Sequence, residues 1–129
     1  MLFRSTLVRP LGFTISDKTL KRAGLDYWDE VQISYTDNLV TYLTATDKPF
    51  YFFSSKVQTP YTDIPFTRND LFIFGSESCG LPSEILTKWP EKIYTIPMTS
   101  NARCLNLSNS VAIVLYEALR AQNFTPLHI

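Results

Sequence analysis

The segment DLFIFGSESCGLP, residues 70–82, joins an apolar run to a glycine-containing turn and the start of a helix. The run DLFIFGS at 70–76 is typical of a strand that is buried on both faces in a parallel sheet. Gly80 and Pro82 then turn the chain, and PSEILTKW at 82–89 predicts a helix with Pro82 in its first turn. A strand that leads directly into a helix indicates an α/β fold.

Extended and helical patterns alternate on both sides of this segment. Further strands are predicted at TLV (6–8), VQISY (31–35), PFYFFSS (49–55) and KIYTIPM (92–98). Helices are predicted from Ser16 or Asp17 to Arg22, over NLVTYLTA (38–45) with Thr36 or Asp37 as the cap, and from about Leu105 to Gln122. This alternation predicts an α/β domain with a mostly parallel sheet flanked by helices.

The composition is that of a globular chain. It has 129 residues, of which 45% are hydrophobic, and its 12 basic and 12 acidic residues balance. The net charge therefore indicates no class of partner. Cys79 and Cys104 do not make a disulfide framework, and with His128 they are too few and too far apart for a metal site. No apolar run is long enough to span a membrane and the N-terminus does not resemble a signal peptide, so we expect a cytoplasmic protein.

Three loops follow the most clearly predicted strands. They are SSKVQTP (54–60), GSESCGLP (75–82) and MTSNARCLNLSN (98–109). Ligands of parallel α/β sheets bind in the loops beyond the carboxyl ends of the strands. The sequence therefore predicts that these loops form a binding site.

Gly75 and Glu77 are the candidate functional residues of the second loop. A glycine at the end of a buried strand lets either a ligand or another stretch of backbone come close. Glu77 either accepts hydrogen bonds from loop amides or is a surface carboxylate of a tight turn. The loop has neither the GxGxxG spacing of a dinucleotide site nor the Lys-Ser/Thr pair of a P-loop.

The third loop crowds polar side chains in front of the last predicted helix. Backbone N–H groups at such a helix start are free to bind a carboxylate or phosphate. Ser108 is a plausible cap, Asn106 and Asn109 offer amide donors and acceptors, and Arg103 is a cation. One cap is all that a helix needs, so the remaining polar residues point to a binding function.

The sequence resembles the second and third motifs of the SpoU-type RNA ribose methyltransferases, which belong to the SPOUT superfamily. The resemblance is carried by three segments, in the order FGSESCGLP, IPM and RCLNLSNSVAIVLYEALR. The N-terminal segment RPLGFTISDKTLKRAGLDYWD is similar to that of the small branch that methylates the wobble nucleotide of tRNA. The resemblance spans nearly the whole chain. It implies a single SpoU-type domain over residues 1–129 with a deep C-terminal trefoil knot.

One part of the family pattern is missing. Family members begin with a strand followed by a loop and helix of the pattern N.G...R, whereas Met1 stands where that helix would end. We therefore expect an N-terminal βα unit to be absent. Two explanations stay open: a truncated or misassigned start, or a genuine short form.

The resemblance also implies a cofactor and an active site. S-adenosyl-L-methionine is expected to contact Phe53, Gly75, Ile96, Met98, Cys104 and Leu105. The site where the target ribose meets the methyl group is expected to contain Glu77, Arg103, Asn106, Ser108 and Asn109. Cys104 departs from the serine that is usual in relatives, which weakens a side-chain hydrogen bond there and leaves a backbone contact unaffected.

The implied activity is methylation of the ribose 2′-hydroxyl of the wobble nucleotide, position 34, of tRNA. The implied partners are the anticodon stem-loop and a second copy of the chain, bound through the final helix. Two alternatives remain: a 2′-O-methyltransferase for another tRNA or rRNA nucleotide, and a catalytically inactive knotted binding or dimerisation module. The general base is left open, and no metal is required.

Overall fold

A computed structural model of the chain describes residues 4–8, 32–76, 79–99 and 106–125. The chain divides into two compact units, residues 1–46 and 47–129. The second unit contains the loops in which the sequence predicts a site.

The first unit contains a parallel strand pair. Strand β1 (Arg4–Val8) pairs with β2 (Gln32–Thr36), with Arg4 opposite Gln32. Both strands confirm the sequence prediction, whereas the predicted helix from Ser16 or Asp17 lies outside the described residues.

Helix α1 (Leu39–Ala45) follows β2, and its cap differs from the prediction. The side chain of Asn38 accepts a hydrogen bond from the Thr41 amide at 3.0 Å, so Asn38 is the cap and the choice of Thr36 or Asp37 was wrong. All three residue types are suitable caps, and only the residue next to the first helical turn can reach its amides.

The second unit is built on a three-stranded parallel sheet. Its strands are β3 (Phe50–Phe53), β4 (Leu71–Phe74) and β5 (Ile93–Tyr94), in the spatial order β4-β3-β5. Helix α2 (Ser83–Lys88) lies between β4 and β5 in the chain, and α3 (Leu107–Ala121) follows β5. Single 3₁₀ turns cover Tyr61–Asp63 and Pro90–Lys92. Every described strand pair is parallel, as the alternating pattern predicted.

The central strand β3 is buried on both faces, as its unbroken apolar run predicted. Phe52 is fully buried, and its ring stacks on Trp89 with centroids 5.8 Å apart. Tyr51 and Phe53, which alternate with Phe52 along the pleat, join a core cluster with Val114 of α3. The two faces of one four-residue strand thus contact different parts of the unit.

The other elements of this unit are shorter or more exposed than predicted. β4 is only partly buried because it is an edge strand of the three-stranded sheet, so its expected burial on both faces was wrong. β5 ends at Tyr94, and Thr95 then hydrogen-bonds to residues of the loop after β3. Pro82 is the residue before α2 rather than part of its first turn.

Helix α3 divides its apolar residues between the core and the surface. Val114, Ala118 and Leu119 are buried. Val111 is 40% exposed and Tyr116 is 59% exposed. Among the described residues, no helix is long and apolar enough to cross a bilayer, and α3 has 15 residues.

We predict that Val114→Ala destabilises the protein by about 2 kcal/mol, because it leaves a cavity between α3 and the aromatic face of β3. Denaturant unfolding followed by circular dichroism measures the change. Val57→Ala removes the same two methyl groups from a partly exposed loop residue and should cost less than about 1 kcal/mol. Equal losses in the two variants would contradict the packing described for α3.

Candidate functional site

The carboxyl ends of β3, β4 and β5 lie at one edge of the three-stranded sheet, because the strands are parallel. The loop after β3 is closed at its base by the chain that leaves β5. The Ser54 amide donates to the Tyr94 carbonyl at 2.9 Å, and Thr95 both donates to Thr59 and accepts from Tyr61 at 2.8 Å. The segment between Ser54 and Thr59 is therefore anchored at both ends by hydrogen bonds among five backbone positions.

The turn after β4 requires Gly75 for a steric reason. A Cβ atom on Gly75 would lie 2.2 Å from the carbonyl carbon of Gly80 and 2.4 Å from the Leu81 nitrogen. Gly80 itself has a φ of +66°, and the Cys79 amide donates to the Ser76 hydroxyl at 3.0 Å. Of the two interpretations that the sequence left open for Gly75, the structure shows the close approach of another backbone segment.

The start of α3 is capped by Asn106. Its Oδ1 atom accepts hydrogen bonds from the amides of Ser108 at 2.8 Å and Asn109 at 3.4 Å, and its carbonyl accepts from Ser110 at 2.9 Å. The prediction of Ser108 as the cap was therefore wrong, and α3 begins at Leu107 rather than near Leu105. The amides of Ser108, Asn109 and Ser110 are also not free to bind an anion, contrary to the prediction from the sequence.

The polar side chains next to this cap remain accessible. Ser108 and Asn109 are both exposed in the first turn of α3. Asn106, whose Oδ1 is engaged by the backbone, still presents its amide nitrogen. The structure thus brings a hydroxyl and two carboxamides together within one turn of helix.

The predicted cofactor residues at the end of β3 and just after β5 differ in burial. Phe53 is 8% exposed, and its ring stacks on that of Phe74 with centroids 4.8 Å apart. Ile96 packs against the same cluster, and Met98 is partly buried. Because the Phe53 ring is packed in the core, a ligand at Phe53 would contact its backbone atoms. The remaining predicted site residues, Glu77, Arg103, Cys104 and Leu105, lie outside the described residues.

Tyr51 is the buried tyrosine of the core cluster that includes Phe53. Burial raises the pKa of its phenol, and Asp70 and then Tyr94 add to the effect. The phenol thus stays protonated at neutral pH and contributes no charge to the core. The ammonium group of Lys92 lies 4.5 Å from the centroid of the Phe50 ring, near the amino-terminal end of β3.

Comparison with protein families places nearly the whole chain in one of them. The SpoU rRNA Methylase family matches residues 3–116. The "Putative tRNA (cytidine(34)-2'-O)-methyltransferase" of Listeria monocytogenes serotype 4b (strain F2365) is 48% identical over 122 residues, covering 92% of this chain and 72% of the relative.

Two solved structures share the fold. A "putative RNA methyltransferase from Bacillus anthracis" superposes with a TM-score of 0.87 at 40% identity, covering 98% of this chain and 82% of the other. A structure described as "Structural insights into the 2-OH methylation of C/U34 on tRNA" has a TM-score of 0.81 at 38% identity. The match covers 92% of this chain and 78% of the other. Both support the α/β arrangement of a mostly parallel sheet and helices.

We predict that Gly75→Ala destabilises the protein by about 2–3 kcal/mol, because the new methyl group overlaps the backbone of Gly80 and Leu81. Gly80→Ala is the matched control. Its methyl group enters open space, so only the positive φ is unfavourable, at about 1 kcal/mol. Chemical denaturation of both variants measures the difference, and a smaller loss for Gly75→Ala than for Gly80→Ala would refute the steric explanation.

Proposed function

The chain belongs to the SpoU rRNA Methylase family, and we propose that it methylates the ribose 2′-hydroxyl of the wobble nucleotide, position 34, of tRNA. The observation that carries this proposal is the 48% identity, over 92% of the chain, to a relative named for that reaction. The 38% identity to the structure concerned with C/U34 supports the same substrate. The enzyme is expected to act in the cytoplasm, where tRNA is available.

The proposed methyl donor is S-adenosyl-L-methionine, bound at the carboxyl edge of the three-stranded sheet. This cofactor supplies an activated methyl group on a sulfonium. The residues present fit it, since Phe53, Gly75 and Ile96 bring peptide groups to positions at or just after the ends of the three strands and Met98 adds apolar surface. Cys104 and Leu105 complete the proposed set of cofactor contacts.

The protein's own contribution to the reaction is alignment of the ribose. Holding two reactants in a fixed orientation lowers the barrier by converting a bimolecular step into an effectively unimolecular one. We assign this role to the exposed Ser108 and Asn109, which Asn106 fixes by capping α3. Glu77 and Arg103 are proposed to complete the active site.

The single SpoU domain with its C-terminal trefoil knot also remains our proposal. So does a homodimer through α3, for which the exposed face of this helix is the support. Tyr116 is an accessible aromatic residue on the side of α3 opposite the buried Val114 and Ala118, and Val111 is accessible near the amino-terminal end of the helix. In a two-fold symmetric dimer the same face of both copies would cover them.

We predict that the purified protein transfers a labelled methyl group from S-adenosyl-L-methionine to a tRNA transcript with cytidine or uridine at position 34. The matched control is the same RNA with a 2′-deoxyribose at that single position, which removes the acceptor oxygen and should receive no label. Ser108→Ala and Asn109→Ala should each lower the rate by about tenfold to a hundredfold through lost alignment of the ribose.

Each other outcome identifies a different alternative. Equal labelling of both RNAs would mean that another nucleotide is the target. Binding of S-adenosylhomocysteine without labelling of either RNA would favour an inactive binding module. No binding of S-adenosylhomocysteine by the folded protein would refute the cofactor assignment.

We predict that Tyr116→Glu converts the homodimer into a monomer in sedimentation velocity at micromolar concentration. A carboxylate buried without a partner is strongly unfavourable, so the dimer dissociation constant should rise by about a hundredfold or more. Thr87→Glu, on the exposed surface of α2, is the control and should leave the dimer intact. A monomeric wild-type protein would refute the homodimer.

A further inference from the structure

The loop after β3 is anchored by hydrogen bonds at its base and within the loop. Its base is fixed by the backbone hydrogen bonds to Tyr94 and Thr95 described above. Within the loop, the amide of Lys56 donates to the hydroxyl of Ser54 at 3.1 Å. Lys56 itself is exposed. An ammonium group is therefore carried on a short, anchored turn at the edge where the candidate site lies.

The basic residues described in the second unit are unevenly placed. Lys48, Arg68, Lys88 and Lys92 all precede strands and so belong to the amino-terminal edge of the sheet. Arg120, in the last turn of α3, is paired with Glu117 at 2.7 Å. Lys56 is the one among these six described cations that lies within three residues of the carboxyl end of a strand.

We propose that Lys56 binds a backbone phosphate of the RNA substrate and holds the acceptor nucleotide at the carboxyl edge of the sheet. The inference rests on the proposed function, and it adds a positioning residue that the sequence motifs do not contain. A polyanionic RNA is not attracted by a protein of zero net charge as a whole, so its binding depends on locally placed cations. Lys56 is such a cation beside the strand exits.

The exposure of Lys56 favours RNA over the cofactor as its ligand. The cofactor is proposed to bind at the strand exits, where Phe53 is buried and Ile96 packs against the core, whereas Lys56 is exposed on a loop. A long nucleic acid approaches from that side. The experiment separates the two ligands directly, because each can be titrated without the other.

The test compares Lys56→Gln with Lys88→Gln, which makes the same chemical change at the opposite edge of the sheet. A fluorescently labelled anticodon stem-loop is titrated with each protein at about 50 and 200 mM salt and followed by anisotropy. Loss of one phosphate contact should weaken binding by Lys56→Gln several-fold at the lower salt. Raising the salt fourfold should increase the dissociation constant of both proteins. The factor of increase should be about three times larger for wild type than for Lys56→Gln.

Three further readouts distinguish a specific contact from damage to the fold. Calorimetric titration with S-adenosylhomocysteine should give the same affinity for wild type, Lys56→Gln and Lys88→Gln. In steady-state methylation assays Lys56→Gln should raise the KM for RNA while Lys88→Gln leaves it unchanged. Lys56→Arg keeps the charge and should restore most of the RNA affinity.

The outcomes that overturn the proposal are distinct from those that overturn the proposed function. If wild type methylates the RNA and the two Gln variants bind it equally well, Lys56 is not a phosphate ligand although the function stands. If Lys56→Gln loses affinity for S-adenosylhomocysteine, the lysine serves the cofactor instead. If wild type binds neither ligand, the proposed function and the role of Lys56 fail together.

Discussion

The burial of β3 on both faces is the constraint on which the rest of the second unit depends. A strand of four aromatic residues is soluble only when both its faces are covered, and each such side chain contributes about 2–3 kcal/mol when it leaves water. Trp89 covers one face beside Phe52, and α3 covers the other through Val114. To cover the two faces of β3, the chain must therefore pass over one face at Trp89, before β5, and over the other face as α3.

This arrangement determines what remains available for chemistry at the carboxyl edge. Phe53 is buried in the core and Ile96 packs against it, so moving these side chains to contact a ligand would weaken the unit. The accessible groups are the backbone at the strand exits and the polar side chains of loops and helix ends. A site of this kind positions its ligands through main-chain geometry, which the sheet fixes, and tolerates varied apolar side chains beneath it.

The sequence predicted the elements whose signal is strong and local. The unbroken run PFYFF gave β3 and its burial, and the helical periodicity gave α3 to within two residues at its start. The cap of α3 was not predictable, because Asn106 and Ser108 are both good capping residues and the choice depends on where the first turn begins. The approach of Gly80 to Gly75 depends on how the turn folds back, which no residue pattern encodes.

The partial burial of β4 shows a different limit. Its sequence, LFIF, is as apolar as that of β3, and only the order of strands distinguishes an edge position from a central one. Pairing order is decided by contacts between residues distant in the chain, and the periodicity of the sequence carries no information about these contacts. Resemblance to a known family adds this missing information as a whole fold, but it assigns roles only to the positions that match site residues of the family, and Lys56 is not among them.

Helix α3 connects the stability of the core to the geometry of the proposed active site. Val114, which is fully buried, stands eight residues after Asn106, a distance of about 12 Å along the helix axis. Packing of Val114 against β3 fixes the rotation of α3 about its axis. That rotation determines where Ser108 and Asn109 present their polar groups. A change in the core that rotates α3 by a fraction of a turn would therefore misalign the ribose without altering any residue of the site.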